Sequence, residues 1–195
     1  MELARLFAAQ LAEHGEQRGL IGPLEPPRLW SRHILNSAVI GGAFDAETRV
    51  ADIGSGAGLP GIVLAIARPD VAWTLIEPME RRVAWLDEQV ELLGLENVDV
   101  VRARAEDFPA KAGFDAVTAR AVSALRTLIP LTAPLVASGG QLVLMKGASV
   151  RSEISAAEKQ IRRFRISEPR VELWGEGLLD QPTTVFRARV GSAAH

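Results

Sequence analysis

Apolar residues recur every three or four positions at Leu3, Leu6, Phe7 and Leu11, and Gly15 follows His14. This predicts a short amphipathic helix with a glycine stop. Pro23, Pro26 and Pro27 interrupt the pattern. The same spacing resumes with Trp30, Ile34, Leu35 and Ala38 on one side, predicting a second helix over 29–40 that ends at Gly41 and Gly42. From Arg49 the pattern changes. Short runs rich in β-branched residues at 50–53, 72–76, 98–101, 114–118 and 141–145 read as strands, and helical spacing begins near Pro60, Met79 and Leu125 between them. The stretch between the third and fourth strands is too short for a helix to be assigned. Strand, helix, strand at this rhythm requires right-handed crossovers and hence a parallel sheet covered on both faces. A charged helix over 150–164 follows, then apolar segments at 169–174 and 183–190. In the last, Val185, Arg187 and Arg189 alternate with Thr184, Phe186, Ala188 and Val190, which suits an antiparallel strand near an edge. No internal repeat or linker interrupts the series. The expectation is one α/β domain over 1–195, with a helical cap at 1–42 and a doubly wound, mostly parallel core at 43–195.

Composition narrows the chemistry. With 48% hydrophobic and 24% charged residues the chain has ordinary globular composition, which excludes disorder. It contains no cysteine, so disulfide scaffolds, thiolate metal sites and cysteine nucleophiles are all excluded. No His, Asp and Glu cluster has metal-ligand spacing, and no metal is expected. The longest uncharged run, 127–145, contains Pro130, Pro134, Gln141 and the pair Gly139-Gly140, so it is a helix followed by a buried strand, not a membrane span. The first residues lack the pattern of a secretory signal, and a cytoplasmic protein is expected. The net charge of −2 conceals an asymmetry. Residues 1–101 hold 15 acidic and 8 basic side chains, net −7, and residues 102–195 hold 9 acidic and 14 basic, net +5. Such a split points to a polyanionic partner on the C-terminal side, or to no more than an arginine-rich surface.

The most informative segment is Asp52-Ile53-Gly54-Ser55-Gly56-Ala57-Gly58-Leu59-Pro60-Gly61, at the end of the first strand. Alternating glycines let the chain turn sharply and bring a ligand against the backbone, and Pro60 suits the first helical position. In an open parallel sheet this turn lies at the carboxyl ends of the strands, where ligands bind. Gly56, Gly58 and Gly61 also satisfy the G-x-G-x-x-G spacing of dinucleotide folds. Asp52 arbitrates: a carboxylate repels a pyrophosphate and attracts an ammonium or sulfonium, which favours S-adenosylmethionine over NAD. Glu77, ending the second strand, is placed to accept from both ribose hydroxyls of either ligand. The chain has no tyrosine, so the tyrosine and lysine pair of small reductases is impossible.

These residues carry a family resemblance. Asp52 to Gly61 resembles the first motif of Rossmann-like class I S-adenosylmethionine-dependent methyltransferases. In its longer form it is similar to the bacterial ribosomal RNA small-subunit methyltransferase G family, also called glucose-inhibited division protein B. Arg32-His33-Ile34-Leu35-Asn36-Ser37, Glu77-Pro78-Met79-Glu80-Arg81-Arg82, Arg104-Ala105-Glu106, Thr118-Ala119-Arg120-Ala121 and Lys146-Gly147 resemble further segments of that family, in order, across roughly residues 30 to 147. Pro78, where the family more often has serine, and the short N-terminal part are departures.

The resemblance implies methyl transfer from S-adenosylmethionine to N7 of a guanosine in the decoding-region loop of 16S ribosomal RNA, with the RNA or the small ribosomal subunit as partner and no membrane or metal. Guanine N7 offers an in-plane lone pair and no proton, so the reaction needs positioning and no general base. No residue is therefore assigned as an acid or base; Arg120, Arg32, His33 and Lys146 are the positioning candidates. Gly54 and Gly56 offer backbone to the cofactor, Leu59 packs on it, and Ala105 and Glu106 bracket the adenine. Arg120, at a buried strand end, needs an anionic or carbonyl partner: the cofactor's carboxylate, a guanine edge, or a structural pair with Asp115 or another carboxylate. On the charged helix, Arg162 and Arg163, with Arg165 just beyond, are candidates for RNA phosphate. A monomer is expected. A non-catalytic assembly factor, or a methyltransferase acting on a small molecule or protein, remains the alternative.

Overall fold

A computed structural model describes residues 1–109, 112–120 and 122–191. Ala121, the last residue of the Thr118-Ala119-Arg120-Ala121 segment, lies outside the described residues, as do 192–195 of the expected core. Seven strands form one sheet: β1 (Arg49–Ile53), β2 (Ala72–Ile76), β3 (Val98–Val101), β4 (Phe114–Arg120), β5 (Val136–Lys146), β6 (Ile166–Trp174) and β7 (Thr183–Val190). Their order is β3-β2-β1-β4-β5-β7-β6. The pairs among β1 to β5 are parallel, and β7 runs antiparallel between β5 and β6. The order reverses between β1 and β4, which opens a crevice at their carboxyl ends.

Alternation along each strand divides the core in two. Val50, Trp73, Leu75, Ala116, Val143 and Val185 face one way. They pack with α1 (Glu2–His14), α3 (Gly61–Ala67), α4 (Glu80–Leu93) and the cap. Ala51, Ile53, Val117, Leu142, Leu144 and Phe186 face the other way, toward α5 (Leu125–Thr132) and the helical pair α6 (Val150–Ala156) and α7 (Glu158–Arg163). The helix expected over 150–164 thus breaks at Ala157, which is buried. Between β3 and β4 the described residues hold only a 3₁₀ turn, Ala105–Asp107.

The cap departs furthest from the pattern. After a 3₁₀ turn at Pro26–Arg28, residues Leu29–Leu35 form a π-helix, followed by one α turn, α2 (Asn36–Ala38), and a 3₁₀ segment, Val39–Ala43. Wide i→i+5 turns shift the inward face, so Leu29, His33 and Ile34 are buried. Trp30 and Leu35, which the 3.6-residue period places inside, remain exposed. Pro60 is the cap residue of α3, one place before the first helical position.

Candidate active site

The chain turns at the end of β1 through three glycines with positive φ: Gly54 at +68°, Gly56 at +55° and Gly58 at +88°. Beneath the turn lies Asp52, fully buried, whose Oδ2 accepts the N–H of Gly61 at 3.0 Å. Burial pushes this carboxyl up to about 7, against the opposing pull of hydrogen bonds from Ser55 and Gly61. A Cβ on Gly61 would lie 2.3 Å from Leu75 Cδ2 and 2.6 Å from Asp52 Oδ2, so glycine is needed there for packing. Glu77, also buried, binds the turn from the other side: Oε2 accepts from Gly56 N–H and Oε1 from Met79 N–H, both at 3.0 Å. Both carboxylates therefore hold the turn itself, and each oxygen of Glu77 retains a second lone pair.

Above the turn is a cavity of about 270 Å³, bounded by Gly54, Gly56, Leu59, His33, Arg82 and Arg120. The segment Leu20 to Gly22 and Glu25 complete it from the N-terminal side. Asp52 Oδ1 and Arg82 Nε are buried, and neither has a hydrogen-bond partner among the described residues. An acceptor and a donor left open beside one glycine turn suit a ligand bearing both an ammonium and a carboxylate, such as the amino-acid end of S-adenosylmethionine.

Arg120 reaches from the end of β4 into the cap. Its Nη1 donates to Ser37 Oγ at 3.3 Å and its Nη2 to the Arg32 carbonyl at 3.3 Å, with a second contact to the His33 carbonyl. Its other partner is His33 Nδ1, at 2.5 Å. A guanidinium can only donate, so Nδ1 is the acceptor and the imidazole proton sits on Nε2, which donates to Glu25 Oε2 at 2.5 Å. Burial and the nearby Arg120 charge lower the His33 pKa, against the opposing pull of Glu25, and the hydrogen bond from His33 lowers that of Glu25. His33 is held as a neutral ring with both nitrogens committed. A structural pair of Arg120 with Asp115, the alternative to a ligand partner, does not occur. Asp115 accepts the Arg49 N–H at the opposite end of the sheet.

The remaining candidates separate. Ala105 and Glu106 lie on the 3₁₀ turn after β3, at the same end of the sheet as the cavity but not in its wall. The Lys146 ammonium is committed to the Ser123 carbonyl at 2.6 Å and Glu153 at 2.8 Å; Glu153 also accepts the Leu125 N–H that starts α5. Lys146 thus braces the loop that brings Val122 against Gly54. The Arg32 side chain lines a neighbouring concavity, with its Nε 3.8 Å from Glu25, and its carbonyl serves Arg120. Arg162 and Arg163 end α7, and Arg165 precedes Ile166, which pairs with Val190. Lys146 pairs with Thr184 and Gln141 with Arg189, so this register puts the three arginines at the end of the sheet opposite the glycine turn. Net charge along the chain locates a basic surface but cannot say on which end of a sheet it falls. Glu25 and the Leu20 to Gly22 segment had no signal in the sequence, whereas Arg82 belongs to the Glu77 to Arg82 segment.

Strand order, the crevice between β1 and β4 and the glycine turn define a Rossmann-like fold of the methyltransferase class. Solved structures agree. A SAM-dependent methyltransferase from Aquifex aeolicus superposes with a TM-score of 0.61 at 19% identity, covering 85% of this chain and 93% of that one. An rRNA methylase from Streptococcus thermophilus does so at 0.57 and 15%, covering 81% and 95%. The chain belongs to the rRNA small subunit methyltransferase G family, whose family model matches residues 1–177. Ribosomal RNA small subunit methyltransferase G of Leifsonia xyli subsp. xyli is 61% identical over 190 residues, 97% of this chain and 90% of that protein. The corresponding protein of Clavibacter sepedonicus is 60% identical over the same shares. No helix among the described residues is long and apolar enough to cross a membrane.

Proposed function

We propose that this chain methylates N7 of a guanosine in the decoding-region loop of 16S ribosomal RNA, using S-adenosylmethionine. It would act as a cytoplasmic monomer and one methyltransferase domain, with residues 1–42 as its cap. Bound there, the cofactor supplies an electrophilic methyl group on a sulfonium. Gly54 and Gly56 offer backbone without a Cβ, Leu59 an apolar surface, and Glu77 its remaining lone pairs to ribose hydroxyls. Asp52 and Arg82 meet the ammonium and carboxylate, and Ala105 with Glu106 bounds the adenine. Arg120 orders the cap against the cavity mouth and offers its charge to cofactor or guanine.

The observation that carries the N7 reading is the state of His33. Among the described residues it is the one imidazole bounding the cavity, and with both ring nitrogens occupied it is not free to take a proton. Asp52 Oδ2 is held by the Gly61 N–H beneath the glycine turn, and its open Oδ1 is the oxygen assigned above to the cofactor ammonium. A cavity so arranged suits an acceptor atom that carries no proton, and guanine N7 is such an atom. Methylation there makes the nucleotide cleavable by borohydride followed by aniline. Ribosomal RNA labelled by the purified protein should be cut at the labelled guanosine. Labelled RNA that resists cleavage would move the methyl to another atom, and label entering only protein would move the acceptor to another class.

A further inference from the structure

A second concavity, of about 200 Å³, opens beside the first at the carboxyl end of the sheet, between the cap and the β6–β7 loop. Arg28, Ser31, Arg32 and Asn36 form its cap side, and Asp180 and Gln181 its loop side. Thr183 Oγ1 donates to the Asn36 carbonyl at 3.0 Å, pinning the loop's end to the cap. The backbone of Arg32 and His33 is the partition between the two cavities, because its carbonyls hold Arg120 while the His33 ring bounds the cavity over the glycine turn.

The chemistry of the walls is divided. The Arg28 and Arg32 side chains are 48% and 53% exposed and share one carboxylate, Glu25, at 3.2 and 3.8 Å. That carboxylate is also occupied by His33, which leaves most of the guanidinium donors facing outward in forks that match phosphodiester oxygens. Asn36 Oδ1 is buried with no hydrogen-bond partner among the described residues, an acceptor left open. Asp180 adds a second acceptor. Arginine donors for an anion beside the acceptors of Asn36 and Asp180 match a nucleotide, which carries both a phosphate and amino and ring N–H groups. Apart from Leu179 the lining is polar or charged, which does not suit a wholly apolar ligand, and the two arginines disfavour a cation.

We propose that this concavity is a subsite for one unpaired RNA nucleotide flanking the methylated guanosine, with its phosphate on Arg28 and Arg32 and its base edge on Asn36 and Asp180. The acceptor-rich wall selects guanine, whose N1–H and N2 amino group donate side by side, over uracil, which has a lone ring N–H there. The inference rests on the RNA methyltransferase reading above. An RNA seated here presses on the same backbone that Arg120 holds, which registers the neighbouring nucleotide over the cofactor cavity.

The test compares three variants with the unaltered protein: R28A/R32A, D180N/Q181A and, as a control at the far end of the sheet, R189A. Binding of naked 16S ribosomal RNA is followed by filter retention across a salt series, methyl incorporation gives KM and kcat, and calorimetry gives cofactor affinity. R28A/R32A should weaken RNA binding about tenfold or more and flatten the salt slope by about one to two. D180N/Q181A touches no member of the Glu25, His33 and Arg120 chain and should raise KM with the salt slope intact. Both should keep cofactor affinity, and the control should match the unaltered protein throughout. Unchanged RNA affinity, salt slope and KM in the first two variants, with an active parent, would refute the subsite and spare the RNA reading. A parent that binds S-adenosylmethionine but methylates no RNA would overturn that reading, and the subsite with it.

Discussion

A carboxyl group with no exposed surface, seated under a glycine turn, is costly to ionise. Asp52 has its acid form favoured up to about pH 7 by burial, against an ordinary 3.8. The folded chain therefore holds a proton that the unfolded chain releases, and the stabilisation this gives is complete below 3.8 and is lost as pH rises through 7. By linkage the full span is about 4 kcal/mol, as an order of magnitude. Urea unfolding of the unaltered protein and D52N at pH 5 and pH 8 should show the parent losing stability relative to the variant at the higher pH. A constant difference would mean that Asp52 does not titrate in this range. At the same turn, G54V combines a φ of +68° with a Cβ 3.2 Å from Val122 Cγ2, and should abolish S-adenosylmethionine binding in a calorimetric titration. Glu77→Ala strands two backbone N–H groups, at about 1–3 kcal/mol each, and should weaken cofactor binding as well as stability. Tight NAD binding by the parent with no response to S-adenosylmethionine would end the methyltransferase assignment of this turn.

The cap is an element held by a short relay of polar groups. Arg120 ties β4 to the carbonyls of the π-helix and to Ser37, and Glu25 sets the imidazole tautomer that lets His33 accept from Arg120. Removing Arg120 frees Ser37 and both carbonyls at once. In Arg120→Ala, amide hydrogen exchange should accelerate across 29–38 while exchange in β1 and β2 is unaffected, and lost methylation should not return at higher pH. Recovery of activity at alkaline pH would instead make Arg120 a suppressor of some acid group. Acid should loosen the same relay. Folded Glu25 and His33 both have lowered pKa values, so the stabilisation they give is present above their unfolded values and is lost as pH falls toward their folded ones. Cap protection factors, which divide out the intrinsic slowing of amide exchange by acid, should therefore fall on acidification below the unfolded His33 value of 6.5.

Across the whole molecule the sheet has a working end and a plain one. Glycine turn, cap, β6–β7 loop and the starts of α3, α4 and α5 gather at the carboxyl ends of the strands, because each parallel strand passes there into its crossover. The N-terminal helix belongs to this end through its core. Phe7 has no exposed surface, and its Cζ lies 3.2 Å from where a Cβ on Gly58 would sit. F7A should cost about 3–5 kcal/mol in denaturant unfolding and loosen cofactor binding through the turn it supports. Tryptophan fluorescence and far-ultraviolet circular dichroism should report one coincident transition, since cap and sheet share a hydrophobic cluster. Separate transitions would make the cap an independent unit.

Local pattern carries far in this chain. The bounds of β2, β3 and β7 and the glycine turn were legible, because alternation, glycine spacing and a charged strand end are properties of a few consecutive residues. So was the need of Arg120 for an anionic or carbonyl partner, since a buried guanidinium must donate somewhere, although a backbone carbonyl of the cap was not the partner the pattern suggested. Which carbonyl was not legible, because the cap that provides it lies more than eighty residues away in sequence. A seven-residue stretch such as Leu29–Leu35 does not separate a π-helix from an α-helix by period, and packing in the cluster shared with Phe7 and Leu11 of α1 decides which side chains turn inward. Lys146 and the arginines at 162, 163 and 165 carry the same charge in sequence, yet the fold puts one under the β4–α5 loop and the others at the far end of the sheet. Charge is a property of a residue, but what it faces follows from strand direction and register, which only the assembled sheet determines.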